Sequence, residues 1–150
     1  MNSVSIDWRD IDEPAWLGRA ESFALRALEA LGKDNWVLSL LFCGDGFIQT
    51  LNRDYRGKDE ATDVLSFCMG DTVEEEGKTL FLAGDIVISL PALARNAAEF
   101  SVPEDEELRR LVVHGILHLS GLDHGDNDPA QPMLQEQERI LASIKGATIL

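Results

Sequence analysis

The chain has 150 residues, 45% of them hydrophobic and 27% charged, and its formal net charge at pH 7 is −14. This length and composition predict a single globular domain over residues 1–150, with a core that needs no disulfides, and they argue against a disordered chain. The acidic charge opposes nonspecific nucleic-acid binding, because phosphates repel a negative surface. A nucleic-acid ligand would therefore need a locally positive groove.

The sequence lacks the features of exported and membrane proteins. Cys43 and Cys68 form no CxxC pattern, and we expect both to be buried, reduced thiols. No segment approaches the roughly 18 to 20 apolar residues that span a bilayer. The N-terminus is acidic where a signal peptide would be basic. The sequence thus predicts a cytoplasmic protein with no membrane partner.

The first half of the chain predicts two strands and two helices. In order, these are an edge strand at 4–8, a helix at 14–31, a strand at 36–42, a helix at 45–53 and a polar loop at 54–62. Pro14 at the first helical position and Gly32 after the last give the first helix its bounds. Asp45 is expected to cap the second helix.

The second half predicts two strands and three helices. In order, these are a strand at 64–67, a solvated acidic loop at 70–78, a strand at 80–90 and helices at 91–100, 104–120 and 132–145. Ser101-x-x-Glu104 is interpreted as a capping box for the fourth helix. Four strands among five helices predict an α+β fold, a small mixed four-stranded sheet packed with about five helices.

The three histidines of the chain are His114, His118 and His124. Residues four apart on a helix have Cβ atoms about 5–6 Å apart on one face, so the first two can bind one ion. Gly121 is expected to end the helix and let the chain return His124 as a third ligand. Three protein ligands with one open position are typical of a catalytic zinc site, whereas a structural site is usually closed by four.

The histidine spacing H-x3-H-x2-G-x2-H matches the metzincin pattern, so the predicted metal helix is metzincin-like. Gly115 stands where a metzincin peptidase has its catalytic glutamate, which makes peptidase activity the weaker interpretation. A zinc-bound water has a pKa of about 7 and can attack a phosphodiester if another group stabilises the phosphoryl oxygens. Arginine suits that task because its permanent charge can bond two oxygens at once.

Two further motifs accompany the histidines. They are L-N-x-x-Y-R-G-K-D-x-x-T-D-V-L-S-F over residues 51–67 and G-D-I-V-I over residues 84–88. With the histidine motif, in this order, they make the chain resemble the YbeY endoribonucleases, bacterial metalloproteins of rRNA maturation. Before residue 51 the resemblance is one of pattern only.

The resemblance implies a zinc-dependent, single-strand-specific endoribonuclease acting in 16S rRNA 3′-end maturation and ribosome quality control. It places one Zn²⁺ ion on His114, His118 and His124, and the catalytic arginine on Arg56. The implied partners are single-stranded RNA, rRNA, and the small ribosomal subunit or an associated protein. The family usually has proline where this chain has Cys68.

From the residues alone, Arg56 is either a solvated arginine at the start of a polar loop or a phosphate contact. Arg53 and Lys58 beside it form the one local basic cluster before Arg109-Arg110, a pair that either extends a basic path or faces solvent. Two other functions remain open. One is a ribosome-assembly or interaction factor with a structural zinc, and the other is a metallopeptidase.

The hydrogen-bond partners of the metal-binding histidines and the cleavage chemistry each have alternatives. Asp63, Asp85 and Asp123 are candidate partners for the histidine N–H groups. Met133 is either a core residue or a methionine beneath the metal. Nickel and other divalent ions with affinity for imidazole are alternatives to zinc, and zinc hydroxide and the RNA 2′-hydroxyl are alternative nucleophiles.

Overall fold

The computed structural model describes residues 1–122 and 131–150. Within those residues the chain forms four strands and five helices, which confirms the predicted α+β class. They are β1 (Ser3–Arg9), α1 (Leu17–Ala30), β2 (Trp36–Cys43), α2 (Asp45–Arg56), β3 (Val64–Glu75), β4 (Lys78–Ser89), α3 (Leu90–Glu99), α4 (Glu104–Leu119) and α5 (Pro132–Ser143). No helix in the described part is long and apolar enough to cross a membrane.

The four strands form one mixed sheet in the order β1-β2-β4-β3. β1, β2 and β4 run parallel, and β3 pairs antiparallel with β4. The two central strands are apolar along most of their length, as expected for strands buried on both faces. β1 and β3 are the edges of the sheet, so the prediction of a first edge strand is confirmed.

The two faces of the sheet are covered unequally. The main core lies on the face that packs against α1 and α4, and it includes Phe23, Leu40, Ile86 and Ile116. Each such side chain contributes roughly 1.5–3 kcal/mol by burial. The opposite face carries a smaller cluster around Ile48 of α2. Since α2 is the one described helix in that cluster, part of this face stays open.

Helix α4 is the central helix of the core, and half of its 16 residues are buried. Gly115 lets it approach the sheet closely, because a Cβ added there would lie 2.8 Å from Cγ2 of Ile86. Any larger side chain would force the fully buried Ile86 to shift. This contact holds the histidine-bearing part of α4 against β4.

The prediction of an acidic loop over residues 70–78 is wrong. These residues form the distal arms of a hairpin in which Glu75 pairs with Lys78. Glu76 and Gly77 make the turn, both with positive φ, as a two-residue hairpin turn requires. The arms are exposed on both sides, so they carry no alternation of apolar and polar residues that would indicate strands.

One predicted helix start and two predicted helix caps are also wrong. Helix α1 begins at Leu17 after Trp16, not at Pro14. Gly44 rather than Asp45 is the N-cap of α2. Pro103 is the N-cap of α4, and no capping box forms, because Ser101 has a φ of 56° and makes no cap hydrogen bond.

Candidate metal centre and facing arginine

His114 and His118 lie on successive turns of α4, with their Nε2 atoms 3.0 Å apart. Their rings meet edge to face, with centroids 4.6 Å apart. Both side chains are half-buried, while the neighbouring Ile116 and Leu117 are buried in the core. The packing of α4 therefore turns the two imidazoles to the same side of the helix, as the four-residue spacing predicts.

The outer ring nitrogens of the two histidines are held by neighbouring groups. Nδ1 of His118 donates to the carbonyl oxygen of Leu122 at 3.1 Å. Nδ1 of His114 donates to Oε1 of Gln137 at 2.8 Å. With the protons on Nδ1, the Nε2 lone pairs face each other. Two nitrogens on a tetrahedral zinc lie about 3.3 Å apart, so this donor pair fits a single ion.

The end of α4 follows the prediction. Gly121 has a φ of 95°, and its N–H donates to the carbonyl of His118 at 3.0 Å. Leu122 N–H donates to the carbonyl of Leu117 at 3.1 Å, which completes the turn away from the helix. The predicted third ligand, His124, and the neighbouring Asp123 lie outside the described residues. Within the described ones, no group of three metal-binding side chains forms.

Gln137 is a site residue that the sequence did not reveal. It is 5% exposed and shares the inward face of α5 with Met133, Ile140 and Leu141. The sequence signal that could have revealed it is a glutamine among the apolar residues of one helix face. A buried amide there needs a hydrogen-bond partner, which predicts a polar contact with another element. Met133 is fully buried, which agrees with its interpretation as a core residue.

Two of the aspartates considered as histidine partners bond elsewhere. Oδ2 of Asp63 accepts from Nδ2 of Asn96 at 3.0 Å. The Asp85 carboxylate accepts a hydrogen bond from the Ser39 hydroxyl. The acceptor for His114 is instead the Gln137 amide on α5.

The histidine pair faces a cleft of about 520 Å³. Its walls include Arg56 at the end of α2, Ser66 and Cys68 of β3, and the two histidines of α4. We call this space the histidine–arginine cleft. The structure thus brings together three of the four predicted site residues, and the fourth, His124, is the one that lies outside the described part.

Arg56 is the last residue of α2, not the first of a loop as the sequence suggested. Gly57, with a φ of 71°, ends the helix by donating to the carbonyl of Arg53 at 3.1 Å. The Arg56 side chain is exposed and makes no ion pair within the described residues. A guanidinium without a carboxylate partner is available for a phosphate.

The other arginines near the motifs are paired with acids. Arg53 contacts Asp54 at 3.2 Å, and Arg109 contacts Asp105 at 2.9 Å. Arg110 contacts Glu138 at 3.3 Å. The idea that Arg109-Arg110 extends a basic path therefore gains no support, and the positive charge at the cleft comes chiefly from Arg56.

Asn52 fixes the segment that follows Arg56. Its side chain is buried, and Nδ2 donates to the carbonyl of Glu60 at 2.9 Å. The Lys58 N–H donates to the Asn52 carbonyl at 3.3 Å. These bonds tie the last turn of α2 to the chain entering β3, so Arg56 and β3 keep a fixed relation across the cleft.

The two cysteines differ, and the expectation that both are buried is wrong for Cys68. It is exposed, lines the cleft, and its Sγ donates to the carbonyl of His118 at 3.5 Å. Cys43 is buried, and burial, with Asp10 and Asp45 nearby, raises its pKa to about 12. Both thiols are free.

Fold and site together define an α+β domain in which two histidines of one helix and an arginine line the same cleft. The family model for endoribonuclease YbeY matches residues 5–145, and the chain belongs to that family. Membership of this family supports an endoribonuclease role for the chain, which is the role of a nuclease of the hydrolase class.

Individual relatives agree with this family. Endoribonuclease YbeY of Treponema denticola is 52% identical and is matched over 99% of this chain and 97% of its own. The protein of the same name from Treponema pallidum strain Nichols is 47% identical over 95% of this chain and 89% of its own. The solution structure of TM1509 from Thermotoga maritima superposes with a TM-score of 0.65 at 27% identity, covering 95% of this chain and 89% of that one.

Proposed function

We propose that this protein is a cytoplasmic, zinc-dependent, single-strand-specific endoribonuclease that acts in 16S rRNA 3′-end maturation and ribosome quality control. The observation that carries the proposal is the shared cleft, which Arg56 lines together with His114 and His118, the two histidines whose Nε2 atoms lie 3.0 Å apart. Family membership supports the endoribonuclease step, and the donor set of the histidines supports the metal.

In the proposed site, His114 and His118 hold the metal together with His124, the predicted third ligand. A bound zinc ion would supply Lewis acidity and lower the pKa of a coordinated water to about 7. Gln137 and the Leu122 carbonyl keep the imidazoles in the tautomer that presents Nε2. Such outer contacts orient the ligands and increase their basicity.

Arg56 binds and orients the phosphodiester on the other side of the cleft. Its guanidinium can donate two parallel hydrogen bonds to the nonbridging oxygens, which fixes the phosphate relative to the histidines. The same donors stabilise the charge that grows on these oxygens as the nucleophile attacks. This role is the same for an attacking water and for the substrate's 2′-hydroxyl.

The proposed partners are single-stranded RNA, rRNA and the small ribosomal subunit or a protein bound to it. The net charge of −14 limits affinity for free RNA, because it repels the phosphate backbone. The ribosome or an associated protein then supplies the additional affinity.

Two alternatives make different predictions. A peptidase would need a general base at position 115, but a side chain there points at Ile86 in the core rather than into the cleft.

An assembly factor with a structural zinc would unfold when the metal is removed, whereas a catalytic site should lose activity and stay folded. Chelation followed by circular dichroism separates these two roles of the metal.

The direct test is cleavage of a labelled single-stranded RNA by zinc-loaded protein, with a matched duplex and the variant His118→Ala in parallel. We expect cleavage of the single strand alone, and loss of cleavage in the variant. Absence of cleavage by folded, metal-loaded protein would contradict a self-sufficient nuclease. Cleavage that survives both chelation and His118→Ala would contradict the metal site.

A further inference from the structure

An exposed aromatic pair lies next to the histidine–arginine cleft. Tyr55, the one tyrosine of the chain, is 71% exposed. Its ring meets that of the half-buried Phe67 edge to face, with centroids 5.3 Å apart. Exposed aromatic rings beside a proposed binding site are candidates for ligand contact rather than for core packing.

The pair forms one wall of a groove of about 360 Å³, which we call the aromatic groove. Leu41, Phe47 and Leu51 give it apolar walls, and Ser39 and Asp85 add polar groups. It lies on the sheet face that α2 covers only in part. A planar, mainly apolar group with a few hydrogen-bonding atoms on its edge matches both this volume and this lining.

The aromatic groove and the cleft share β3 and the end of α2. Tyr55 and Arg56 are consecutive, and Phe67 stands between Ser66 and Cys68, which line the cleft. Successive side chains of a strand point to opposite faces, so the two spaces lie on the two sides of β3. Because β3 is an edge strand, a flexible ligand can cross it without meeting another strand.

The charges of the histidine–arginine cleft and of the aromatic groove favour different parts of an RNA strand. The cleft carries the cation of Arg56, which has no ion-pair partner among the described residues, whereas the aromatic groove carries the Asp85 carboxylate bonded to Ser39. A phosphate is repelled by that carboxylate and favoured by Arg56. A nucleobase is neutral, has a face that stacks on aromatic rings, and has N–H groups that can donate to carboxylate oxygens.

We propose that the aromatic groove is a base-binding subsite, in which Tyr55 and Phe67 stack on one base of the RNA strand whose phosphate contacts Arg56. The inference rests on the proposed function and deepens it. A base can be splayed out of a single strand at low cost, but in a duplex it is stacked and paired. The subsite therefore supplies a structural reason for the preference for single strands.

Because Tyr55 is the sole tyrosine, a single fluorine label reports on the subsite. The protein is grown with 3-fluorotyrosine, and fluorine NMR follows its one signal during titration. The His118→Ala variant is used so that the RNA survives, after its fold has been checked by circular dichroism. We expect the signal to shift with single-stranded RNA but not with an abasic sugar–phosphate oligomer of equal length or with inorganic phosphate.

Variants in otherwise wild-type, zinc-loaded protein test the same subsite through cleavage kinetics. Stacking on an aromatic side chain predicts a KM about 5- to 150-fold higher for Tyr55→Ala, while Tyr55→Phe keeps the ring and the wild-type KM. Phe100→Ala is the matched control, because Phe100 is 65% exposed, follows the last residue of α3 and lines neither of the two spaces. Its KM should not change.

The outcomes separate this inference from the proposed function. Cleavage with unchanged KM in Tyr55→Ala, together with an unmoved fluorine signal, would overturn the subsite and leave the nuclease intact. A signal shifted equally by abasic oligomer would overturn base stacking in favour of backbone contact. A base-dependent shift, combined with no cleavage by wild-type, zinc-loaded protein, would support the subsite while contradicting a self-sufficient nuclease. No binding of RNA by His118→Ala, together with no cleavage by wild-type, zinc-loaded protein, would overturn both the subsite and a self-sufficient nuclease.

Discussion

Nδ1 of His114 lies 2.8 Å from Oε1 of Gln137, and this bond joins α4 to α5 across residues 123–130. It fixes the ring of His114 and places its proton on Nδ1, which leaves Nε2 for a metal. The bond is short, and Gln137 is buried, so water competes little for either partner. The candidate metal centre therefore depends on a helix that carries none of the predicted ligands.

Gln137→Leu should weaken zinc binding about 10- to 100-fold, because His114 loses the acceptor that orients its ring. Zinc affinity can be measured by competition with a chromophoric chelator. The matched control is Gln135→Leu, an exposed position on the same helix, which should bind zinc as the wild type does. Wild-type affinity in a folded Gln137→Leu protein would show that the bond does not support the metal.

Arg56→Ala should lower kcat for single-stranded RNA by at least about 10²- to 10³-fold, because the phosphoryl oxygens lose their charged donors. Zinc content and the unfolding midpoint should stay unchanged, since Arg56 is exposed and has no ion-pair partner in the described part of the chain. Arg53→Ala is the control on the same helix, since Arg53 already contacts Asp54. Loss of zinc or of fold in Arg56→Ala would indicate a structural role instead.

Local rules were enough to predict the elements that hold the site. The four-residue spacing of His114 and His118 placed both imidazoles on one face of a helix, and Gly121 marked where that helix ends. The apolar runs of β2 and β4 predicted the central strands. Each of these signals depends on neighbours within one or two turns, which a sequence displays directly.

Contacts between distant elements escaped prediction for a physical reason. The bond from Gln137 to His114 depends on how α5 packs on α4, and no local pattern encodes that packing. Asp45 has the side chain of a helix cap, but tertiary contacts with Ser89 and Arg95, at 2.8 and 2.7 Å, engage it instead. The outer part of the hairpin formed by β3 and β4 was not predicted, because its strands are exposed on both faces. Their sequence therefore carries no alternation of apolar and polar residues.

Asp105 should make the stability of the fold depend on pH in acid. Its Oδ1 accepts from the N–H groups of Ile149 and Leu150, both at 2.8 Å, and so holds the C-terminus against α4. Burial raises the pKa of Asp105, but these two donors and the Arg109 guanidinium outweigh burial and hold it below its ordinary value. The stabilisation is thus present above the unfolded pKa of about 4 and is lost as pH falls through the folded pKa.

Asp105→Ala should lower the free energy of unfolding by about 1–3 kcal/mol at pH 7, as measured by urea denaturation. The difference from wild type should shrink as the pH is lowered below 4, because the wild-type carboxylate then becomes protonated. Glu104→Ala, an exposed acid in the same first turn, is the control for the helix dipole. A difference that is independent of pH would contradict the charge-based account.

Gly115 offers a test of both the packing of α4 and the choice between nuclease and peptidase. Gly115→Ala should lower the free energy of unfolding by about 1–3 kcal/mol, because the new Cβ lies 2.8 Å from Ile86 in the core. Gly18→Ala in α1 is the control, since its Cβ meets nothing within 4 Å and alanine should stabilise a helix by up to about 1 kcal/mol. Equal effects of the two substitutions in thermal and urea unfolding would contradict the close approach.

The same geometry predicts that restoring the metzincin glutamate will not create a peptidase. In Gly115→Glu the new side chain starts toward Ile86 of β4, whereas the general base of a metalloprotease must reach the metal-bound water. We expect no hydrolysis of a fluorogenic peptide library by zinc-loaded Gly115→Glu, and a loss of stability larger than that of Gly115→Ala. Peptide hydrolysis by this variant would show that position 115 can face the cleft, and the peptidase interpretation would then regain support.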